Sequence, residues 1–453
     1  MIPRAILASE RNIFGLHITQ TSDVKESANL INSSNGDWGW VTIVIRFDQL
    51  NQQEWQNFFN ECRKDHLIPI IRIATIMEND HWKIPSPEEI DVIASFLNSL
   101  NWPTKDKHVV LFNEINHAQE WGGVIDIKNY TDIFMYASQK LKNYDKNFII
   151  LGPALDLAAP DSLPSYLSAK SVYQQIYEYR PEYFDNFDAL ASHSYPNYGF
   201  IGKPTDTQPH SILGYKWELS FIESLGVNKK YSVFITETGW PHQEGETKDY
   251  RYYTSKTSSD FLIKAYSLWE QDEGVIAVTP FIFNFPHPPF DHFSWVDKEG
   301  KLYPEYQKII DYPKKQNQVS QITSYSSQKI NLPALIFPEK EYSGTLLLKN
   351  TGQSIWGEGE TSFCLQPQST QNLILSPICT SEKQVFPGQT EIFKFTFSLI
   401  PKQKQLGKSY ISWENVSEYE ITPFSESSNI YRPKTGFLQK VSDFFSKLNP
   451  FSY

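Results

Sequence analysis

Cysteine is nearly absent. Three in 453 residues exclude a disulfide scaffold, and without a Cys-x-x-Cys pair or clustered Cys/His spacing they offer no structural zinc site. Cys364 and Cys379 either bridge neighbouring strands of a small β domain or remain two free buried thiols, while Cys62 falls within a helical pattern and reads as core. Long apolar runs are missing too. No stretch is long enough to cross a membrane, and the run from Ala5 to Ala8 is much shorter than the core of a signal peptide. Export therefore has no support within these residues; the expected location is extracellular or cell-surface if a targeting segment precedes them, and cytoplasmic otherwise. Positive charge is in deficit. A net charge of −11 excludes a general affinity for nucleic acid or an anionic membrane, since both need a basic surface to displace counterions.

Aromatic side chains, by contrast, are abundant: 12 Trp, 25 Tyr and 30 Phe, whose flat faces suit sugar rings. The length calls for two domains. Up to residue 312 short strand-like runs alternate with amphipathic helical patterns. Periodicity predicts strands over 14–19, 41–47, 68–74, 108–113, 148–152, 187–193, 231–237 and 276–283, and helices over 53–63, 87–100, 130–144, 213–225 and 260–271. Such alternation predicts an α/β fold, a closed (β/α)8 TIM barrel over residues 1–315. Beyond 318 strands follow one another without helices, which predicts a small all-β immunoglobulin-like sandwich over 320–425. Its segment NTGQSIW (350–356) is similar to a turn of immunoglobulin-like accessory domains. A tail over 426–453 carries Leu438, Val441, Phe444, Phe445 and Leu448 on one helical face, either docking on the chain itself or giving weak membrane or cell-surface association.

Several predicted strands end on polar residues: His17, Arg46, Arg72, Glu114, His193 and Glu237. In a closed parallel barrel these ends converge at one mouth. HVVLFNEIN (108–116) delivers Asn113 and Glu114 to the tip of the fourth strand, and VFITETGWP (233–241) delivers Glu237 to the tip of the seventh. A carboxylate ending an apolar strand costs desolvation energy unless it is used. Two in one cleft match what glycosidic cleavage requires, one protonated to assist the leaving oxygen and one ionised to attack the anomeric carbon or activate water.

These strand ends resemble clan A, the retaining (β/α)8 glycoside hydrolases, over the whole first domain. The resemblance implies Glu114 as general acid/base, Asn113 as the residue holding the sugar 2-hydroxyl, and Glu237 as nucleophile. His193-Ser194-Tyr195 is similar to the clan's His-x-Tyr element, whose tyrosine hydroxyl contacts the nucleophile, and Arg46 falls where the clan places an arginine that keeps the nucleophile ionised. Departures are visible. Ile115 and Asn116 follow the acid/base where the commonest pattern has proline, somewhat as in galactanases. TETGWP (236–241) is close to a β-1,3-glucanase signature, except that His242 stands where Ser or Thr is usual; GPAL (152–155) is similar to xylosidase-like members. The sugar and linkage stay open. TPFIFNFP (279–286) lacks the tryptophan that many members place beneath the sugar, so Trp295 is the expected substitute, with Trp121 and Trp240 as further stacking residues. His17 is expected as a polar floor residue, and Trp40 and Trp82 as packing residues.

The expected function is double-displacement hydrolysis of a β-linked oligosaccharide or polysaccharide, with carbohydrate as the partner and neither a metal nor an organic cofactor. HPPFDHF (287–293) lacks the HxH or HExxH spacing of a metal site. Two alternatives remain: a transglycosylase using the same residues, and a non-catalytic carbohydrate-binding or surface scaffold, which usually shows the loss of one carboxylate.

Overall fold

The computed structural model describes residues 11–337, 339–357, 363–368, 373–380, 383–400, 409–414 and 419–421. The tail 426–453 and the run Ala5 to Ala8 lie outside them. The chain forms two compact units, Met1–Ile322 and Thr323–Tyr453. No helix among the described residues is long and apolar enough to cross a membrane.

The first unit is mixed α/β with parallel strands. β1 (Gly15–Ile18), β2 (Gly39–Arg46), β3 (Leu67–Ala74), β4 (Lys107–Leu111) and β5 (Phe148–Leu151) form one sheet in that order; β6 (Leu190–His193), β7 (Val233–Glu237) and β8 (Val275–Val278) form another, ordered β8-β7-β6. Isolated parallel bridges, Phe14 to Val278 and Leu151 to Ala189, connect the edges of the two sheets. The strand sequences explain why they are parallel and covered. GWVTIVIR and LIPIIRIA are nearly continuous β-branched runs, and almost every residue in them is buried, as expected where both faces are packed. Alternation then divides the side chains. Ile68, Ile70, Val110, Leu151, Ala191, Phe234 and Ala277 meet in a small inner cluster with Trp40, whereas Leu67, Ile71 and Ile73 face the larger core shared with the helices.

Helices follow the strands. Among them are α1 (Val24–Ile31), α2 (Gln52–Lys64), α3 (Pro87–Ser99), α4 (Ile127–Tyr144), α5 (Ala169–Tyr179), α6 (Gly214–Ser224) and α7 (Ser255–Trp269). Their starts are written in the sequence. Ser86 accepts from the Glu89 N–H while Glu89 returns to the Ser86 N–H, with Pro87 at the first helical position; Asn51, Ser168 and Thr254 cap α2, α5 and α7. Trp40, expected to pack, does so: it is 5% exposed and its indole N–H donates to the Asn12 carbonyl at 2.9 Å.

The second unit is all-β. Its main sheet is antiparallel, ordered Tyr325–Asn331, Glu341–Asn350, Thr390–Leu399, Leu373–Leu375. Leu346, Leu348, Phe393, Phe395, Phe397 and Leu399 alternate into its own core with Trp356 and Trp413. The NTGQSIW turn is held by Asn350, whose side-chain amide donates to the Ser354 and Val385 carbonyls, both at 2.9 Å, and accepts from the Gly352 N–H at 3.0 Å. Cys364 and Cys379 face each other across a short antiparallel pair and are disulfide-bonded, which settles the choice between bridge and free thiols; Cys62 is free and buried, in the core as expected.

Candidate active site

Glu237 closes β7 and is 8% exposed. Three groups converge on its carboxylate. The Tyr195 hydroxyl donates to Oε2 at 3.2 Å, His193 Nδ1 lies 3.8 Å from Oε2, and His17 Nδ1 lies 3.8 Å from Oε1. Burial alone would raise its pKa. The charges of His193 and Arg72 and the tyrosine hydrogen bond outweigh burial and bring Glu237 below the usual glutamate value. His17 is itself held neutral, brought down to about 3 chiefly by burial, so its 3.8 Å approach is a contact of a neutral ring and not an ion pair.

Glu114 arrives by a different route. β4 ends at Leu111, and the chain then turns through Phe112 (φ +70°) and Glu114 (φ +32°), both in the left-handed region that side chains disfavour. Hydrogen bonds fix this bend. The Glu114 N–H donates to the Ala154 carbonyl and the His117 N–H to the Glu114 carbonyl, each at 2.8 Å. The buried Asn116, standing second after Glu114, ties the loop to the β5–α5 connection through the Asp156 and Leu167 carbonyls at 2.8 and 3.1 Å. The half-buried Glu114 carboxyl meets His193 Nδ1 at 2.7 Å. His193 is fully enclosed; burial opposes its protonation, but the two glutamates prevail and raise its pKa.

One imidazole thus sits between two carboxylates. A ligand atom from each of Glu114, His193 and Glu237 lies within 4.8 Å of the other two, a donor set that also has the composition of a divalent-cation site. The 2.7 Å contact between His193 and Glu114 has the length of a charge-assisted hydrogen bond.

The other expected site residues divide. Asn113 stands beside Glu114, half-buried, with Oδ1 unpartnered, and its side chain hydrogen-bonds Glu120. Arg46 is a correction: it pairs with Asp48 at 2.6 Å, both side chains well exposed, and contributes no charge to Glu237. The arginine that does is Arg72. Register decides between them, because Arg72 pairs with Val44 across β2–β3, which leaves Arg46 two residues further out along the same alternation.

All three stacking tryptophans are corrections as well. Trp121 is 1% exposed, donates to Asn129 at 3.1 Å and packs on Phe112 and Tyr130; Trp240 donates to the Gly202 carbonyl at 2.7 Å; Trp295 lies flat on Tyr306 with centroids 4.6 Å apart. Buried faces cannot take a sugar. The aromatic residues at the site are instead phenylalanines: Phe281 stands edge-on to His17 at 5.2 Å, and Phe293 links it to Phe200 and Tyr195. Trp82, expected to pack, is half-buried and lines the recess beside Asn113. Phe281 was within reach of the sequence, lying in TPFIFNFP; Glu120, in a short turn, carried no pattern to single it out.

No family model matches the chain, and no curated protein matches it. Among solved structures it is similar to a GH39 enzyme from Xanthomonas axonopodis pv. citri, with 9% identity over 87% of this chain and 95% of that one and a TM-score of 0.48. A monomeric beta-xylosidase from Caulobacter crescentus CB15 aligns with 11% identity over 88% and 98% of the two chains, TM-score 0.49. A GH128 endo-beta-1,3-glucanase from Sorangium cellulosum aligns with 13% identity over 66% and 98%, TM-score 0.41.

Proposed function

We propose that the chain is a retaining glycoside hydrolase acting on a β-linked sugar, built on a closed (β/α)8 barrel, with the second unit an immunoglobulin-like accessory domain. The supporting observation is the convergence of Glu114, His193 and Glu237 within 4.8 Å, one carboxyl held ionised and the other hydrogen-bonded to His193. The two edge bridges support the barrel, and the antiparallel sheet with its Asn350 turn supports the accessory domain.

The chemistry follows from the charges. Glu237, kept ionised and oriented by Tyr195, attacks the anomeric carbon, while the proton on the Glu114–His193 pair passes to the leaving oxygen. Water then enters, Glu114 takes its proton, and the glycosyl ester on Glu237 is hydrolysed. A close pair favours the covalent route, since retaining sites hold their carboxyl groups about 5–5.5 Å apart and inverting sites about 6.5–9.5 Å, and a ligand atom of Glu114 lies within 4.8 Å of one of Glu237. Purified protein should release nitrophenol from at least one 4-nitrophenyl β-glycoside, and Glu237→Gln should abolish that release. A folded wild type inert on aryl glycosides and on β-glucan, galactan, xylan and mannan would overturn the proposal.

A further inference from the structure

Glu114 stands three residues beyond the end of β4, on a bend at φ +32°, so no strand ladder holds it. The β5–α5 connection does. Asp156 lies in that connection, and its main chain meets the Asn116 side chain in both directions: the Asp156 carbonyl accepts from the Asn116 amide at 2.8 Å, and the Asp156 N–H donates to Asn116 Oδ1 at 3.1 Å. Its carboxylate is fixed as well. Oδ1 accepts from the Ala158 N–H at 2.8 Å, and Oδ2 meets His117 Nε2 at 2.9 Å.

His117 carries this hold to Glu114. Its backbone N–H donates to the Glu114 carbonyl at 2.8 Å while its ring reaches Asp156, so carboxylate, imidazole and main chain form one strut. The strut is ionic. Burial opposes protonation of His117, but the Asp156 hydrogen bond and the charges of Glu114 and Asp156 raise its pKa; burial would raise Asp156, yet the His117 and Ala158 hydrogen bonds bring it below the usual aspartate value. Asp156 also pairs, in an isolated parallel bridge, with His193. Both partners of the 2.7 Å contact between Glu114 and His193 are thus tied to one residue.

Resting on the hydrolase assignment above, we infer that Asp156 is a positioning residue for the proposed acid/base: through the His117 ring and the Asn116 amide it holds the Glu114 carboxyl against His193. A left-handed bend is disfavoured for a residue with a side chain, so it relaxes without an external hold, and a displacement of about 1 Å at a reacting group costs up to about 10²-fold in rate. Glu237 needs no such hold. It lies within β7, whose ladder with β6 sets His193 opposite it. The step that depends on Asp156 is therefore protonation of the leaving oxygen and not nucleophilic attack.

The test uses the full chain and a series of aryl β-glycosides of the sugar that wild type cleaves, from 2,4-dinitrophenyl, which leaves unaided, to phenyl, which needs a proton. Asp156→Ala should lower kcat/KM about 10²-fold for the phenyl glycoside and only about twofold for the dinitrophenyl glycoside, whereas a merely structural lesion would lower both alike. Asp156→Asn, whose amide keeps the Ala158 bond and donates to a neutral His117, should recover most of the loss. His117→Ala, which leaves Asp156 bonded to Ala158, should reproduce the dependence on leaving group. In crystals of Asp156→Ala the Glu114–His193 contact should open beyond hydrogen-bonding distance, and in Asp156→Asn it should stay closed. Equal losses across the series in folded Asp156→Ala, or that contact intact, would overturn the positioning role. A wild type inert on every aryl glycoside would instead overturn the hydrolase assignment, and the crystal contact would still decide whether Asp156 places Glu114.

Discussion

At the scale of single residues, the proposed mechanism asks two glutamates for opposite roles, and their neighbours differ. Arg72 is the neighbour whose effect can be isolated, since its charge on β3 helps hold Glu237 ionised at the end of β7. Arg72→Leu should raise the Glu237 pKa, and because attack needs the carboxylate, the acid limb of kcat/KM should move to higher pH. Arg46→Leu, which breaks only an exposed pair with Asp48, should leave that limb in place. A pH–rate profile of both variants checks this; equal shifts, or none with Arg72→Leu, would remove Arg72 from the electrostatics. Glu114→Ala should cost about 10²–10⁴-fold on substrates with poor leaving groups, which need a proton, and far less on activated aryl glycosides. Equal losses on both substrate types would give Glu114 a binding or structural role.

At the scale of elements, periodicity located the parallel strands and five of the helices within a few residues, because buried β-branched runs and capped amphipathic helices are local signals. What it missed was local too. α1 and α5 were not picked out, and the strand Tyr325–Asn331 is a polar edge strand without alternation. Glu114, Glu237, His193 and Tyr195 were legible as strand ends, and the structure brings them together. Arg72 against Arg46 was not, since only the β2–β3 register separates them, and the tryptophans were not, since sequence cannot say which face of a ring is covered. Glu218 on α6 was invisible for the same reason. It lies buried behind β6, accepting from the Tyr173 hydroxyl at 2.7 Å and bonded to Ser192, and burial pushes it up to about 7. With a folded pKa above the unfolded value, its contribution is fully present below pH 4.5 and lost as pH rises through 7, about 3 kcal/mol in all. Denaturant unfolding of Glu218→Gln should lose less stability than wild type between pH 5 and 8; an identical loss would show that Glu218 is ionised in the fold.

At the scale of the whole molecule, the two units have separate cores, and every residue of the proposed chemistry lies in the first. The Cys364–Cys379 bridge, spanning a sequence separation of 15, should therefore matter to the second unit alone. Cys364→Ser with Cys379→Ser should lower that unit's unfolding free energy by about 3 kcal/mol. Turnover of short aryl glycosides should persist, and a loss of activity in the folded double variant would tie the second unit to catalysis. The central claim is the covalent step, and the anomeric form of the first product tests it most directly. Glu114 and Glu237 present ligand atoms within 4.8 Å, and in the proposed mechanism Glu237 attacks the sugar itself, so that two successive inversions restore the starting configuration. NMR of a β-linked substrate during turnover, read before mutarotation, should show the β-anomer first; the α-anomer appearing first would contradict the covalent step and make the two glutamates an acid and a base acting across a water.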